Sequence, residues 1–236
     1  MENTRIVSQA NATIVIPAYN EEEGIAVVLE RIFQAMDGRY EVIVVDDGSD
    51  DATAEITSGF PCQLIKHETN HGKGEALKTG IRHATRESVI FIDADASYPA
   101  EVIPQMAEAL KHYDMVYCSR TTGRENIPRF NRLGSMVFQG LMRYVYGFKL
   151  RDYCTGLYGA KRCYLERMNL SSRGFAIEPE IAAKASRMKL QVQEIPIEYR
   201  PRVGQTKLNS LKAGFEHLRT ILSLIFWHSD HNENDE

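Results

Sequence analysis

Apolar runs that end abruptly in polar, turn-forming clusters constrain this chain more than any other feature. Thr13–Ala18 (TIVIPA) runs into YNEE, and Val42–Val45 (VIVV) runs into DDGSDDAT. A third run, CQLIKH, leads to NHGKGEAL, and Val89–Ile92 (VIFI) stops at DADASYP. Between the first two, Ile25, Val28, Leu29, Ile32 and Phe33 recur at helical spacing within Glu21 to Met36. Turn chemistry in DDGSDDAT opens another helix, and the glycine-bearing NHGKGEAL loop opens one ending near Ala84. Continuously apolar strands alternating with helices predict an α/β chain with a mainly parallel, Rossmann-like sheet flanked by helices. Ligands of such sheets bind beyond the carboxyl ends of the strands, where the clusters AYNEE, DDGS and DAD fall.

Beyond residue 120 the pattern changes. Arg120, Arg124, Arg129, Arg132, Arg143, Lys149 and Arg151 face a single acid, Glu125, across residues 120–151. Leu133, Met136, Val137, Leu141, Met142, Tyr144 and Val145 between them predict an amphipathic helix over about 133–148. Arg173–Arg187 reads as a helix and VQEIPIEYRPR as a strand. From residue 211, Leu211, Phe215, Leu218, Leu222 and Ile225 form one helical stripe, before a polar tail, SDHNENDE. Without a repeat or linker, residues 1–236 read as one domain: about 13–120, about 121–210, a helix over about 211–228, and the tail at 229–236.

The 236 residues are 43% hydrophobic and 25% charged, which excludes a disordered chain and a multispan membrane protein. A net charge of −4 excludes a broadly basic nucleic-acid binder. Cys62, Cys118, Cys154 and Cys163 show no CxxC or Cys/His ligand spacing, so buried, reduced thiols in a reducing compartment are expected. No segment has the apolar core of a signal peptide or the length to span a bilayer; the longest apolar run is Ile221–Trp227. The expectation is a soluble protein, or one lying on a membrane without crossing it.

Asp93 and Asp95, two residues apart at a strand end, can converge on one hard divalent cation whose shell diphosphate oxygens complete. The same residues also favour turns and helix caps. Asp46 and Asp47 follow the second strand, where an acid can accept hydrogen bonds from a nucleobase or ribose. Asp46 is expected to cap the turn and Asp47 to be the ligand. No GxGxxG follows the first strand, which argues against a nicotinamide enzyme.

VIPAYNEEEGI, VVDDGSDDAT, NHGKGEALKTG and FIDADASYP, in this order and at these separations, resemble the family 2 glycosyltransferases of the GT-A fold. CSR, PRFNRLGS, RDYCTGLYGAKR, GFAIEPEIAAKA and EIPIEYRPRVGQTK narrow the resemblance to the polyprenyl-phosphate (dolichyl-phosphate) sugar transferases. The resemblance implies a nucleotide-sugar half over 13–120, an acceptor half over 121–210, and an interfacial C-terminal helix. It places Pro17, Ala18, Tyr19, Glu21, Val45, Asp47 and Lys73 at donor positions, and Asp93, Ala94 and Asp95 at diphosphate and metal. Ser97 stands where the dolichyl-phosphate mannose enzymes have a metal-holding glutamine. Arg120, Arg129, Arg202 and Lys207 match positions that grip phosphates, the guanidinium forks bidentately and the lysine as a point charge.

The implied reaction moves a hexose, with inversion, from GDP-mannose or a UDP-hexose to a polyprenyl phosphate, assisted by Mg²⁺ or Mn²⁺. A phosphate monoester, with a second pKa near about 6, is already largely a dianion and needs no general base. A saccharide or other hydroxyl acceptor is the alternative, with Glu178 as base; otherwise Glu178 holds sugar hydroxyls or pairs with Arg173, and Glu180 faces solvent. Asp152 is a further sugar contact. A non-catalytic nucleotide-sugar sensor is disfavoured by the acidic and basic sets occurring together. The two amphipathic stretches either pack on the sheet or lie in the lipid headgroup layer. The latter implies a peripheral protein on the cytoplasmic face of a membrane, bound directly or through a separate anchoring protein.

Overall fold

The computed structural model describes residues 11–35, 40–147, 150–206 and 210–227. Among them, β1 (Ala12–Ala18), β2 (Glu41–Asp46), β3 (Gln63–Lys66) and β4 (Ser88–Phe91) alternate with α1 (Ile25–Ala35), α2 (Thr53–Ser58) and α3 (Lys73–His83). Then come α4 (Ile103–Ala109), β5 (Met115–Thr122), α5 (Arg129–Tyr146), β6 (Tyr158–Lys161) and α6 (Arg162–Arg167). Finally α7 (Ile177–Arg187), β7 (Val192–Glu198) and α8 (Ser210–Ser223) complete the fold. The strands form one sheet in the order β3-β2-β1-β4-β6-β5-β7. Pairing is parallel except at β6, which runs against both β4 and β5.

That reversal positions the site. The other strands end at one edge of the sheet, and β6 begins there, so the segment before it, residues 152–157, joins the strand-end clusters. Alternation along β1 sends Ile14, Ile16 and Ala18 to the core under α1 and α4, and Val15 to the core under α3 and α7. In α1 the buried residues Ile25, Val28, Leu29 and Ile32 follow the helical period read from the sequence. Helix α3 lies close on β1 because residue 80 is glycine; a Cβ there would meet Val15 Cγ1 at 2.2 Å.

Several boundaries differ from the sequence reading. Helix α7 begins at Ile177 rather than Arg173, because the preceding backbone is engaged elsewhere. Ser171 and Ser172 donate their N–H groups to the Glu180 carboxylate, and the Arg173 carbonyl accepts from the Glu75 N–H. The basic amphipathic helix starts at Arg129, and α8 ends before Ile225. Lys149 and the polar tail lie outside the described residues. Cys118 is buried as expected, whereas Cys163 is exposed and Cys62 and Cys154 are partly exposed; all four thiols are free.

Glu180 corrects a further expectation: it is buried, not solvent-facing. Helix α7 has no polar face, since Ile177, Ile181, Ala182, Ala183 and Ala185 are all buried as well. Inside it Lys184 Nζ donates to Glu180 Oε1 (2.6 Å) and to the carbonyls of Met168 (2.8 Å) and Asn169 (3.0 Å). Burial alone would raise the Glu180 pKa, but Lys184, Ser172 and Ser171 hold it below the usual carboxylate value. A lowered folded pKa adds stability above the unfolded value, lost as pH falls through the folded pKa. Lys184→Met should therefore destabilise the fold by about 3–5 kcal/mol in urea denaturation at neutral pH, because it strands a buried charge. The gap to wild type should narrow as pH falls toward and below about 4.5, because burial makes the stranded carboxyl protonate early and the wild type then loses its own contribution.

Candidate functional site

The loops after β1 and β2 interlock at the sheet edge. Asn20, at φ 54°, donates its N–H to Ser49 Oγ (2.9 Å) and accepts from the Asp50 N–H (3.0 Å). The Glu21 N–H donates to Thr53 Oγ1 (2.8 Å), and Glu22 accepts from the Ala52 N–H (3.0 Å). AYNEE and DDGSDDAT are thus one unit, which places Tyr19 and Glu21 beside Asp47 on the wall of a cavity of about 870 Å³. That volume suits a small, drug-sized ligand.

Asp46 and Asp47 face different ways. Asp46 is fully buried and caps its turn by accepting from the Ser49 N–H (3.1 Å). Asp47 lines the cavity, but its carboxylate also tethers the loop leading to α3. Oδ2 accepts from the Gly72 N–H (2.7 Å), Oδ1 from the His71 N–H (3.1 Å), and His67 Nδ1 lies 2.6 Å from Oδ1. His67 is braced in turn by Thr79 Oγ1 at 3.0 Å from Nε2. Pro17, Ala18, Tyr19 and Lys73 line the cavity, whereas Val45 is buried beneath it against Ala76.

The DAD turn after β4 is the centre of the charge network. Lys73, delivered by Gly72 at the start of α3, places Nζ 2.7 Å from Asp93 Oδ1 and 2.6 Å from Glu178 Oε1. Glu178 therefore pairs with Lys73 and not with Arg173, which is 82% exposed and lies 3.6 Å from Glu75. Burial would lower the Lys73 pKa; the Asp93 and Glu178 carboxylates override it and hold the ammonium firmly protonated. Asp95 accepts from the Ser97 N–H (3.0 Å) and Ser97 Oγ (2.5 Å) on one oxygen, and from Arg202 Nη1 (2.8 Å) on the other. Arg202 Nη2 also reaches Glu21 Oε1 at 2.5 Å. Ser97 is fully buried behind Asp95. Burial, reinforced by the neighbouring Asp93 carboxylate, pushes the Asp95 carboxyl up despite Ser97 and Arg202.

Arg202 arrives because the chain after β7 is laid across this turn. The Val203 N–H donates to the Asp95 carbonyl (2.9 Å) and the Arg200 N–H to the Ser97 carbonyl (2.9 Å). From the β6 side, Gly156 packs so close to Asp93 that a Cβ would lie 2.0 Å from Oδ2. Its N–H donates to Tyr98 Oη (2.7 Å).

Arg120 and Asp152 neutralise each other: Nε and Nη2 meet Oδ2 and Oδ1 at 2.6 and 2.9 Å. Arg120 Nη2 also donates to the Cys154 carbonyl (2.9 Å), and its guanidinium lies 5.4 Å from the Tyr199 ring centre. Arg129 is exposed at the start of α5, outside the cavity wall. Lys207 lies outside the described residues. The sequence reading missed the Lys73 bridge to Glu178; the lysine stands in NHGKGEAL, but nothing local says which distant acid it will meet.

The donor set fits a divalent cation of the Mg²⁺ or Mn²⁺ kind. Asp93 and Asp95 are hard oxygen donors crowded at one turn, and a cation offsets both the burial and the Asp93 repulsion that raise Asp95. Among the described residues no cluster of three His, Cys, Asp or Glu could hold a metal, so phosphate and water oxygens would complete the shell.

The cavity continues from this edge to the cleft between α5 and α8, where Ser135, Phe138, Gly214 and His217 line it. Both helices turn apolar stripes outward. Phe130, Leu133 and Val137 are 61–62% exposed and Tyr144 90%, while Leu211 and Phe215 are 75% and 70% exposed. Among the described residues no helix is long and apolar enough to cross a membrane.

The profile of glycosyl transferase family 2 matches residues 13–168. A dolichyl-phosphate hexose transferase of Haloferax volcanii is 34% identical over 203 residues, covering 85% of this chain and 88% of that protein. The dolichol-phosphate mannosyltransferase of Pyrococcus furiosus is 32% identical over 230 residues, 92% of this chain and 64% of that protein. An undecaprenyl-phosphate 4-deoxy-4-formamido-L-arabinose transferase of Pectobacterium atrosepticum is 30% identical, again covering 64% of its length. The chain thus spans less than two thirds of the latter two. Among solved structures, glucosyl-3-phosphoglycerate synthase of Mycobacterium tuberculosis with Mn²⁺, UDP and phosphoglyceric acid superposes with a TM-score of 0.77 at 22% identity. That superposition covers 93% of this chain and 80% of the synthase.

The Asp47 tether gives a direct test. Asp47→Ala should accelerate amide hydrogen exchange at His71 and Gly72 by at least about tenfold, since each charge-assisted bond lost is worth about 1.5–3 kcal/mol. Unchanged protection at both amides would refute the tether.

Proposed function

The chain belongs to glycosyl transferase family 2, with the GT-A fold, and on that premise we propose that it moves a hexose from a nucleotide sugar to a polyprenyl phosphate with inversion. One observation carries this reading. A single cavity joins the acidic strand-end site, with Arg202 on its wall, to a cleft between two helices that carry exposed apolar stripes. A soluble acceptor needs no such route.

In this reading Tyr19, Glu21 and Asp47 bind the nucleoside, and the Asp93–Asp95 turn takes the diphosphate. A divalent cation held by Asp93 and Asp95 would neutralise charge developing on the departing nucleoside diphosphate. Arg202 binds the acceptor phosphate and aligns its oxygen with the anomeric carbon, with Arg129 and Lys207 as further cations. Arg120 acts by holding Asp152 and the loop that packs Gly156 against Asp93. The phosphate oxygen needs no base, and Glu178 holds Lys73 in place. The outward stripes, with exposed Arg143 beside them, rest on the headgroups of an anionic membrane surface and leave the prenyl chain in the lipid. The cytoplasmic face fits the reduced thiols. A separate anchoring protein is a further partner in this reading.

The reaction is tested with radiolabelled nucleotide sugars and a short prenyl phosphate in the presence of Mn²⁺. Label should pass into an organic-extractable product, and Arg202→Ala should lower kcat/KM for the acceptor at least about 10²-fold. Label found only in aqueous products would overturn the reading. Glu178 beside Asp93 supports the alternative of a hydroxyl acceptor. That alternative requires Glu178→Gln to cost at least about 10²-fold on a soluble sugar acceptor. Membrane docking is tested separately. Replacing Leu211 and Phe215 together with Glu should abolish co-flotation with anionic vesicles, and retained flotation would place the docking surface elsewhere.

A further inference from the structure

Each carboxylate of the DAD turn is occupied by a cation that belongs to the chain itself. Lys73 Nζ sits on Asp93 at 2.7 Å, and Arg202 Nη1 on Asp95 at 2.8 Å. Each cation is also held by a second acid from another element: Glu178 of α7 for Lys73, and Glu21 of the loop after β1 for Arg202. Both cations are largely shielded, with side chains 14% and 27% exposed, so their attraction to the acids is weakly screened by water. A divalent ion arriving alone must compete with both cations for the carboxylates, and leaves each cation it displaces with one acid instead of two in a poorly solvated place.

A nucleoside diphosphate changes that balance. Its oxygens offer Lys73 a point-charge contact and Arg202 a bidentate one until the acceptor phosphate takes over the Arg202 fork, while Glu178 and Glu21 keep hold of the displaced side chains. We propose that Lys73 and Arg202 are built-in counter-cations that keep Asp93 and Asp95 closed to divalent metal until a nucleotide sugar arrives, so that metal binding is conditional on donor binding. The inference rests on the reading of Asp93 and Asp95 as metal ligands and goes beyond it, because it assigns the cations a task before any substrate is present. Coupling of this kind is reciprocal: whatever the donor adds to metal affinity, metal adds to donor affinity, commonly 5- to 150-fold.

The test measures metal binding and needs no turnover. Mn²⁺ is titrated into the nucleotide-free protein, and free Mn²⁺ is read by electron paramagnetic resonance. Arg202→Met and Lys73→Met should bind Mn²⁺ at least about tenfold more tightly than wild type, although both changes remove groups that the reaction needs. Arg202→Lys, which keeps the charge, should remain close to wild type. Folding is checked by near-UV circular dichroism. Arg202 is partly exposed, so Arg202→Met alone keeps the test decisive if Lys73→Met does not fold. Folded variants that bind Mn²⁺ no more tightly than wild type would overturn the proposal. A second arm adds UDP or GDP and follows water-proton relaxation, which separates protein-bound from nucleotide-bound Mn²⁺. No protein-bound Mn²⁺ in either arm would overturn the metal reading itself and the proposal with it.

Discussion

Charge neutralisation at the carboxyl edge of the sheet is the constraint on which the rest of the site depends. Glu21, Asp47, Asp93, Asp95, Asp152 and Glu178 all converge there, and most are buried. A carboxylate removed from water without a partner would be protonated or would unfold its surroundings. The charged partners come from other elements: Arg202 lies 107 residues from Asp95 and 181 from Glu21. The complete charge network therefore needs the last strand's exit in place beside the fourth strand's end. The two backbone hydrogen bonds from residues 200 and 203 to the DAD turn join the last strand's exit to the fourth strand's end.

Legibility in the sequence follows from how local each determinant is. The strands β1 to β4 and the site edge could be read directly because continuous apolar runs and turn residues are local signals. So could the division between Asp46 and Asp47, since one position faces the turn and the next the cavity. β6 gave no such signal: YGAK is short and not alternating, and only its place between β4 and β5 shows that it runs backwards. Charge pairing was equally hidden. Arg120 is one arginine among several in a basic stretch, and its bidentate hold on Asp152 depends on the β6 reversal bringing residues 152–157 to the same edge. Glu180 and Lys184 did carry a usable clue, an i, i+4 acid and base flanked by Pro179, Ile181, Ala182, Ala183 and Ala185. A pair in that setting is buried with its helix.

The same reasoning separates the two amphipathic helices from core helices. An apolar stripe in a sequence says that a face avoids water, not what it meets. In α1 the stripe meets the sheet. In α5 and α8 the fully buried residues are few, Met142 on one and Ala213 and Ile221 on the other, while the regular stripe 211, 215, 218, 222 stays exposed, with Leu211 at the cavity wall. Scattered apolar side chains are ordinary on a protein surface, but contiguous stripes on two adjacent helices are not. What holds these helices is their contact with each other and with α7, through the ring pair of Phe138 with His217 and the hydrogen bond from Ser186 Oγ to the Tyr146 carbonyl. Each helix also sets one apolar edge on the core, Phe138, Leu141, Met142 and Tyr146 from α5 and Ile221 from α8, and turns its other apolar side chains away. This leaves those faces for a partner, and the cleft between them opens onto the cavity that holds the DAD turn.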